Sequence, residues 1–113
     1  MKKTLTLVGA TLATAAFLTA APQDTKTAKA GDVAKGKETF EQCGACHETE
    51  SDEKKMGPSL KGLFKRAKLT NGKKPADATV LEVINKGGNG MPPYEELLSA
   101  EEKNNVIAYL KTL

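Results

Sequence analysis

The sequence has 113 residues, which allows one domain and no more, and 17 Lys or Arg against 14 Asp or Glu give it a formal net charge of +3. Four of the basic and one of the acidic residues lie in 1–30, which leaves 13 of each in 31–113. Residues 31–113 are therefore neutral, which gives no support to nucleic-acid binding, where a cationic domain would be expected.

Residues 1–30 have the pattern of a secretory signal peptide. Two lysines precede an uncharged stretch over 4–21, and Ala-Lys-Ala at 28–30 is a small-x-small cleavage site. Cleavage at 20–21 is the alternative. A retained anchor is disfavoured, because threonines dilute a stretch that barely reaches membrane-spanning length. We therefore expect export to the periplasm and no membrane segment after cleavage.

Four helical segments and no strand are predicted in the mature chain. The first follows Asp32, a suitable N-cap, and reaches the cysteines, with Phe40 on its apolar face. Gly36 inside this helix costs about 1 kcal/mol relative to alanine, so we hypothesise that another helix crosses closely there. The second is a short segment over 60–67.

The third segment spans 77–86 and ends at Gly87. The last helix is the clearest, because Ser99 and Glu102 form a capping box ahead of an apolar stripe of helical period. The stripe consists of Val106, Tyr109, Leu110 and Leu113. We expect it to pack on the first helix. The predicted fold class is all-α.

Cys43, Cys46 and His47 form a Cys-x-x-Cys-His motif. On one helical turn these three side chains project from the same face. Two thiols at this spacing suit addition to the vinyl groups of one porphyrin, with the imidazole placed under the iron, so the motif predicts one covalently attached haem c. A porphyrin also supplies the large apolar centre that a short chain with four aromatic side chains in 31–113 lacks.

Three alternatives explain the motif less well. A thioredoxin-like dithiol requires a βαβ unit, and no strand is predicted before Cys43. A structural zinc site requires four ligands, so a carboxylate would have to join the three that the motif supplies. A Cys43–Cys46 disulfide closes too short a loop to add much stability and leaves His47 unexplained.

The second axial ligand of the iron is predicted to be Met91. His47 is the only histidine, so ligation by two histidines of this chain is excluded and Met, Lys, water or no ligand remain. Met91 lies in a segment, 87–94, whose three glycines permit close approach to a cofactor and whose two prolines stiffen the backbone after the methionine. Met56 is the alternative, but it is only nine residues from His47, which makes the opposite haem face difficult to reach. The predicted metal ligands are therefore His47 and Met91.

The chain resembles the class I cytochromes c over residues 31–113. It is similar to their first residues at 31–37, to their second signature at 57–66 and to their last helix at 106–111. The stretch 66–91 is shorter than in the mitochondrial members and has no tryptophan. The resemblance is therefore closer to the short bacterial carriers.

This resemblance implies the cytochrome c fold, with about four helices around one haem and with the N- and C-terminal helices crossing. It implies that the Pro58 carbonyl accepts the Nδ1 proton of His47, that Leu60 packs on the haem and that Arg66 lies near a propionate. It also implies that Gly36 and Phe40 meet Val106 and Tyr109.

A haem iron with both axial positions filled has no site for a small-molecule substrate, so we expect a monomeric electron carrier and not an enzyme. Residues 54–74 contain seven lysines and Arg66 without an acidic residue. We hypothesise that part of this segment docks on acidic redox partners, although a solvated face explains the same pattern. The competing interpretations are a haem subunit of a larger dehydrogenase or oxidase complex, and a ligand-sensing domain in which Met91 is displaced.

Overall fold

The computed structural model of the chain describes Gly9 and residues 30–113. These contain three α-helices, α1 (Val33–Phe40), α2 (Asp77–Lys86) and α3 (Ala100–Leu110), and one 3₁₀ turn (Leu63–Lys65). The described residues include no strand, only one isolated bridge between Gly88 and Met91. The predicted all-α class is confirmed. The predicted signal peptide lies outside the described residues except at Gly9 and Ala30, and in the described part no helix is both long and apolar enough to cross a membrane.

Helix α1 begins where predicted and ends earlier. The Asp32 carboxylate accepts the Lys35 N–H at 3.0 Å, which confirms the N-cap. The helix ends at Phe40 and residues 41–46 continue as turns, so the prediction that it reaches the cysteines is wrong. Gly44, a poor helix former, lies in this segment.

The second predicted helix, over 60–67, is only the 3₁₀ turn Leu63–Lys65. Gly62 precedes this turn with a φ of 62°, a left-handed conformation that an α-helix does not contain. Arg66 follows it in an extended conformation. The four predicted helical segments are therefore three α-helices and one 3₁₀ turn.

The core is built on the crossing of α1 and α3. A Cβ placed on Gly36 would lie 1.9 Å from the Asn105 carbonyl oxygen, which confirms the hypothesis of a close helix crossing at this glycine. The rings of Phe40 and Tyr109 pack with their centroids 5.3 Å apart. The buried Asn105 side chain also accepts the Asp32 N–H at 2.7 Å. Close backbone packing, an aromatic contact and a hydrogen bond thus hold the N-terminal end of the domain, with α1, against α3.

Helices α2 and α3 have the predicted end signals. Ser99 Oγ accepts the Glu102 N–H at 3.1 Å and the Glu102 carboxylate accepts the Ser99 N–H at 2.7 Å, so the capping box is confirmed. Gly87 ends α2 with a φ of 60°. The three helices and the 3₁₀ turn bury one apolar cluster, which consists of Phe40, Leu63, Val80, Ile84, Val106, Ile107 and Leu110.

Candidate functional site

A cleft of about 660 Å³ opens onto the apolar core. Its size is in the range of pockets that hold cofactors and other small molecules, about 300–1,000 Å³. Its walls combine buried apolar side chains with all seven residues that the sequence analysis assigned to the site. These are Cys43, Cys46, His47, Pro58, Leu60, Arg66 and Met91. Residues that span 49 positions of the chain, from Cys43 to Met91, are thus brought around one cavity.

The two cysteines line the cleft as half-buried free thiols, and no disulfide joins them. Burial raises the pKa of the Cys43 thiol, and the neighbouring charge of Cys46 raises it further. Within 30–113 no three His, Cys, Asp or Glu side chains are grouped to hold a metal ion. A pair of thiols beside an imidazole on an apolar cavity fits a covalently attached porphyrin.

His47 is fixed by its neighbours on the following loop. Its Nδ1 lies 2.8 Å from the Pro58 carbonyl oxygen. A carbonyl only accepts, so Nδ1 carries the proton and the lone pair of Nε2 is left for a metal. The N–H of Gly57 donates to the Cys46 carbonyl at 2.8 Å, which ties the same loop to the motif.

Gly57 touches the imidazole so closely that no side chain fits there. A Cβ at this position would lie 2.5 Å from His47 Cε1 and 2.8 Å from Nδ1. Gly57 lies in the segment 57–66 that resembles a family signature, but the sequence alone predicts no role for it at the site. The glycine immediately before Pro58 was the available signal.

Met91 is held in the glycine-rich segment after α2. The N–H and C=O groups of Gly88 and Met91 are paired at 2.9 and 3.0 Å. A Cβ on Gly87 would lie 2.3 Å from the Met91 carbonyl oxygen, so the chain folds back tightly at this glycine. Met91 is half-buried, whereas Met56, which also lines the cleft, is 84% exposed. Of the two thioethers, that of Met91 is the better constrained.

Leu60 and Arg66, which lie before and after the 3₁₀ turn in the chain, form part of the cleft wall. The Arg66 guanidinium donates to the carbonyls of Ser59 and Lys61 at 2.7 and 2.8 Å, which pins it beside the cleft. The Leu60 N–H donates to the Glu48 carbonyl at 2.8 Å. The guanidinium has further N–H groups that can donate to an anionic group. That Arg66 lies near a haem propionate stays a prediction.

Tyr94 is a wall residue that the sequence analysis did not single out. It is half-buried and lines the cleft, and its backbone N–H donates to the Ile84 carbonyl at 2.9 Å. Burial raises the pKa of the phenol, and the nearby sulfurs of Cys43 and Cys46 raise it further. The only signal was an aromatic residue three positions after Met91.

The chain is similar to known proteins in sequence and in fold. The family profile described as "Cytochrome C oxidase, cbb3-type, subunit III" matches residues 31–110, well over half of the chain. The chain belongs to the class I c-type cytochromes. The cytochrome is 37% identical over 87 residues to cytochrome c6 of Rippkaea orientalis (strain PCC 8801 / RF-1), across 76% of this chain and 75% of that protein. It is also similar to the crystal structure of cytochrome c6 from the diatom Phaeodactylum tricornutum, at 29% identity and a TM-score of 0.56, with 73% of this chain and 93% of that chain covered.

The cytochrome therefore carries one covalently bound haem c, and its function is electron transfer. When bound, the haem supplies an iron that stores one electron by alternating between the ferric and ferrous states. The described residues fit this group, because two thiols, an oriented imidazole and a thioether line one apolar cavity. The chain's own part is to attach the haem and to orient its ligands.

Proposed function

We propose that this cytochrome is a soluble, monomeric carrier that moves single electrons between redox partners outside the cytoplasm, and that it is not an enzyme. One observation carries the proposal: His47 and Met91 reach the same cleft from two separate loops. Two such side chains fill both axial positions of a haem iron. No coordination site is then left for a substrate, and electron transfer is the remaining activity.

Each site residue has a role in this proposal. Cys43 and Cys46 form the two thioether links, while His47 Nε2 and the Met91 sulfur are the axial ligands. The thioether is a soft donor and favours ferrous iron relative to a second imidazole. Pro58 keeps the proton on His47 Nδ1. Leu60 and Arg66 cover the haem and its propionate side.

We further propose that residues 1–30 are an export signal and that 31–113 form the cytochrome domain in the periplasm. The family match, which begins at residue 31, supports this boundary. Packing supports it as well, because a Cβ on Gly31 would lie 2.1 Å from the Asn104 carbonyl oxygen. The first residue of the proposed domain already lies against α3.

Replacing Met91 by alanine tests the ligand assignment. We expect the sulfur-to-iron charge-transfer band of the ferric protein to disappear and the iron to bind added imidazole, because the cleft then lacks its constrained thioether. The absorption spectrum of the purified ferric protein measures both effects. The spectrum of the pyridine adduct shows in the same sample whether the haem is attached through thioethers.

Met56→Ala is the matched control, because it removes the same side chain from an exposed position on the same cleft. We expect this variant to keep the band. A band that survives in Met91→Ala and vanishes in Met56→Ala would transfer the ligand assignment to Met56. Imidazole binding by the unaltered ferric protein would contradict the carrier proposal.

The basic segment 54–74 is our proposed docking surface for an acidic redox partner. Three of its seven lysines are in ion pairs, Lys55 with Glu48 at 3.4 Å, Lys61 with Asp52 at 4.0 Å, and Lys73 with Glu82. The other four are exposed and make no ion pair with any residue of 30–113. They are Lys54, Lys65, Lys68 and Lys74. These unpaired charges are the ones available to a partner, and Lys54 lines the cleft itself.

Lys54→Gln is expected to slow electron transfer to an acidic redox protein about threefold at low salt and to weaken the salt dependence of the rate. Stopped-flow rates measured over a series of ionic strengths give both quantities. Lys73→Gln removes the same charge from a lysine already held by Glu82, so we expect a smaller effect. Equal effects of the two substitutions, or a rate indifferent to salt, would contradict docking through this surface.

The description of the matching family favours a second candidate function, a haem subunit of an oxidase complex. A permanent interface of this kind buries a large apolar area. The large apolar side chains that the described residues expose are Val33, Met56 and Leu97, which is few for such an interface. Size-exclusion chromatography of a membrane-free periplasmic extract distinguishes the two, because a carrier elutes as a monomer and a subunit elutes with its complex.

A further inference from the structure

We infer that Lys103 is a positioning residue for the Met91 ligand, because its buried ammonium group holds the segment that carries Met91 in place. The inference rests on the axial ligation proposed above and deepens it. Lys103 is not among the residues that line the cleft, so it acts on the haem site only through that segment.

Lys103 is a charged residue in an unfavourable position. Its side chain is buried, with 7% exposed, although lysine is rarely buried without a carboxylate partner. It forms no ion pair with any residue of 30–113. It is also the fourth residue of α3, close to the positive end of the helix dipole. Packing alone would favour an apolar side chain here, so the ammonium group needs another reason.

The ammonium group of Lys103 makes one hydrogen bond within the described part of the chain. Its Nζ donates to the Glu95 carbonyl oxygen at 2.8 Å. No other side chain of residues 30–113 donates to a carbonyl of the segment 91–98. A hydrogen bond from a charged donor is stronger than one from a neutral donor. This bond therefore ties the segment 91–98 to α3.

The backbone between Met91 and Glu95 is short and stiff. Both residues that follow the methionine are prolines, whose rings fix the backbone φ angles. The N–H of Tyr94 donates to the Ile84 carbonyl at 2.9 Å, so the same segment is also tied to α2. When the Met91 sulfur leaves the iron, we expect this backbone to move as a unit and the bond from Lys103 to break. The bond thereby disfavours release of the ligand.

Lys103→Met tests the inference, because methionine keeps an unbranched apolar side chain in the buried position and removes the ammonium group. We expect the equilibrium constant for release of Met91 from ferric iron to rise about tenfold, the effect of losing a hydrogen bond from a charged donor. In a urea titration of the purified ferric holoprotein, the sulfur-to-iron charge-transfer band measures release and far-ultraviolet circular dichroism measures helix unfolding. The band should be lost earlier, so that the interval between the two midpoints widens. A merely structural role would shift both midpoints together.

Lys111→Met is the matched control, because it removes a lysine that ties the end of α3 to another element. Lys111 pairs with Asp77 at 2.6 Å, in the first turn of α2, whereas the Met91 segment follows the last turn of that helix. We expect Lys111→Met to leave the interval between the midpoints unchanged. Lys103→Arg keeps a charged donor, and we expect it to widen the interval less than Lys103→Met.

Hydrogen exchange in the unaltered holoprotein tests the same coupling without a substitution. The amides of Tyr94 and Leu98 are both hydrogen-bonded, to the carbonyls of Ile84 and Tyr94. As urea is raised, we expect these two amides to exchange in step with the loss of the charge-transfer band and ahead of the amides of α3. This measurement decides alone if Lys103→Met does not fold.

Two results would overturn the inference. One is an interval between the midpoints in Lys103→Met that matches the interval in the unaltered protein. The other is continued protection of the Tyr94 and Leu98 amides after the band is lost. Failure of the proposed ligation is distinguishable, because the band would then be missing from the unaltered protein or would survive in Met91→Ala.

Discussion

Gly36→Ala is expected to destabilise the cytochrome by about 3 kcal/mol or more, the upper range for overpacking a core. The added methyl group would lie 1.9 Å from the Asn105 carbonyl oxygen and 2.5 Å from its carbonyl carbon. Both are backbone atoms inside α3 and cannot rotate away. Helices α1 and α3 must separate instead, which weakens the packing of Phe40 on Tyr109. Urea unfolding of the holoprotein, followed by far-ultraviolet circular dichroism, measures the loss.

The sign of this effect separates helix packing from helix propensity. Alanine is the better helix former by about 1 kcal/mol, so Gly36→Ala would stabilise α1 if nothing crossed it. Ala34→Gly is the matched control, because it makes the reverse exchange at an exposed position of the same helix. We expect it to cost about 1 kcal/mol by propensity alone. A stabilising effect of Gly36→Ala would contradict the crossing.

Gly36 shows how far the sequence determines the fold. A glycine inside a well-capped helix is unfavourable locally, and that cost pointed correctly to a close crossing. The Ser99–Glu102 capping box and the terminating Gly87 were predictable for the same reason, since they depend on residues within one turn. The partner atom at the crossing, the Asn105 carbonyl, was not predictable. It depends on the packing of segments about 70 residues apart.

The residues of the site can be divided in the same way, into those that local spacing predicts and those that depend on packing. Cys43, Cys46 and His47 were found together because their chemistry depends on spacing along one turn. The helix predicted from the sequence is longer than α1, because the apolar period continues to Cys43 whereas the backbone turns after Phe40. The sequence alone does not reveal Gly57 and Tyr94, because folding brings Gly57 against the imidazole and Tyr94 into the cleft wall. Such contacts leave no periodic signal in a single sequence.

Gly57→Ala is expected to impair axial ligation by His47 while leaving the haem attached. The new Cβ would lie 2.5 Å from His47 Cε1, so the ring must turn or the loop must move. Either change breaks the 2.8 Å hydrogen bond from Nδ1 to the Pro58 carbonyl that directs Nε2. Loss of such an orienting bond typically weakens metal ligation about tenfold to a hundredfold. We therefore expect a high-spin fraction in the ferric spectrum and binding of added imidazole.

Met56→Ala is the control for this substitution, because it alters the adjacent, exposed residue without touching the imidazole. We expect Met56→Ala to keep the low-spin spectrum and not to bind added imidazole. The two variants should retain equal thioether-linked haem, because neither changes a cysteine side chain. If Gly57→Ala also stayed low-spin and bound no imidazole, the ring would not need this close approach. The glycine would then serve only the turn of the loop, and orientation of His47 would rest on Pro58 alone.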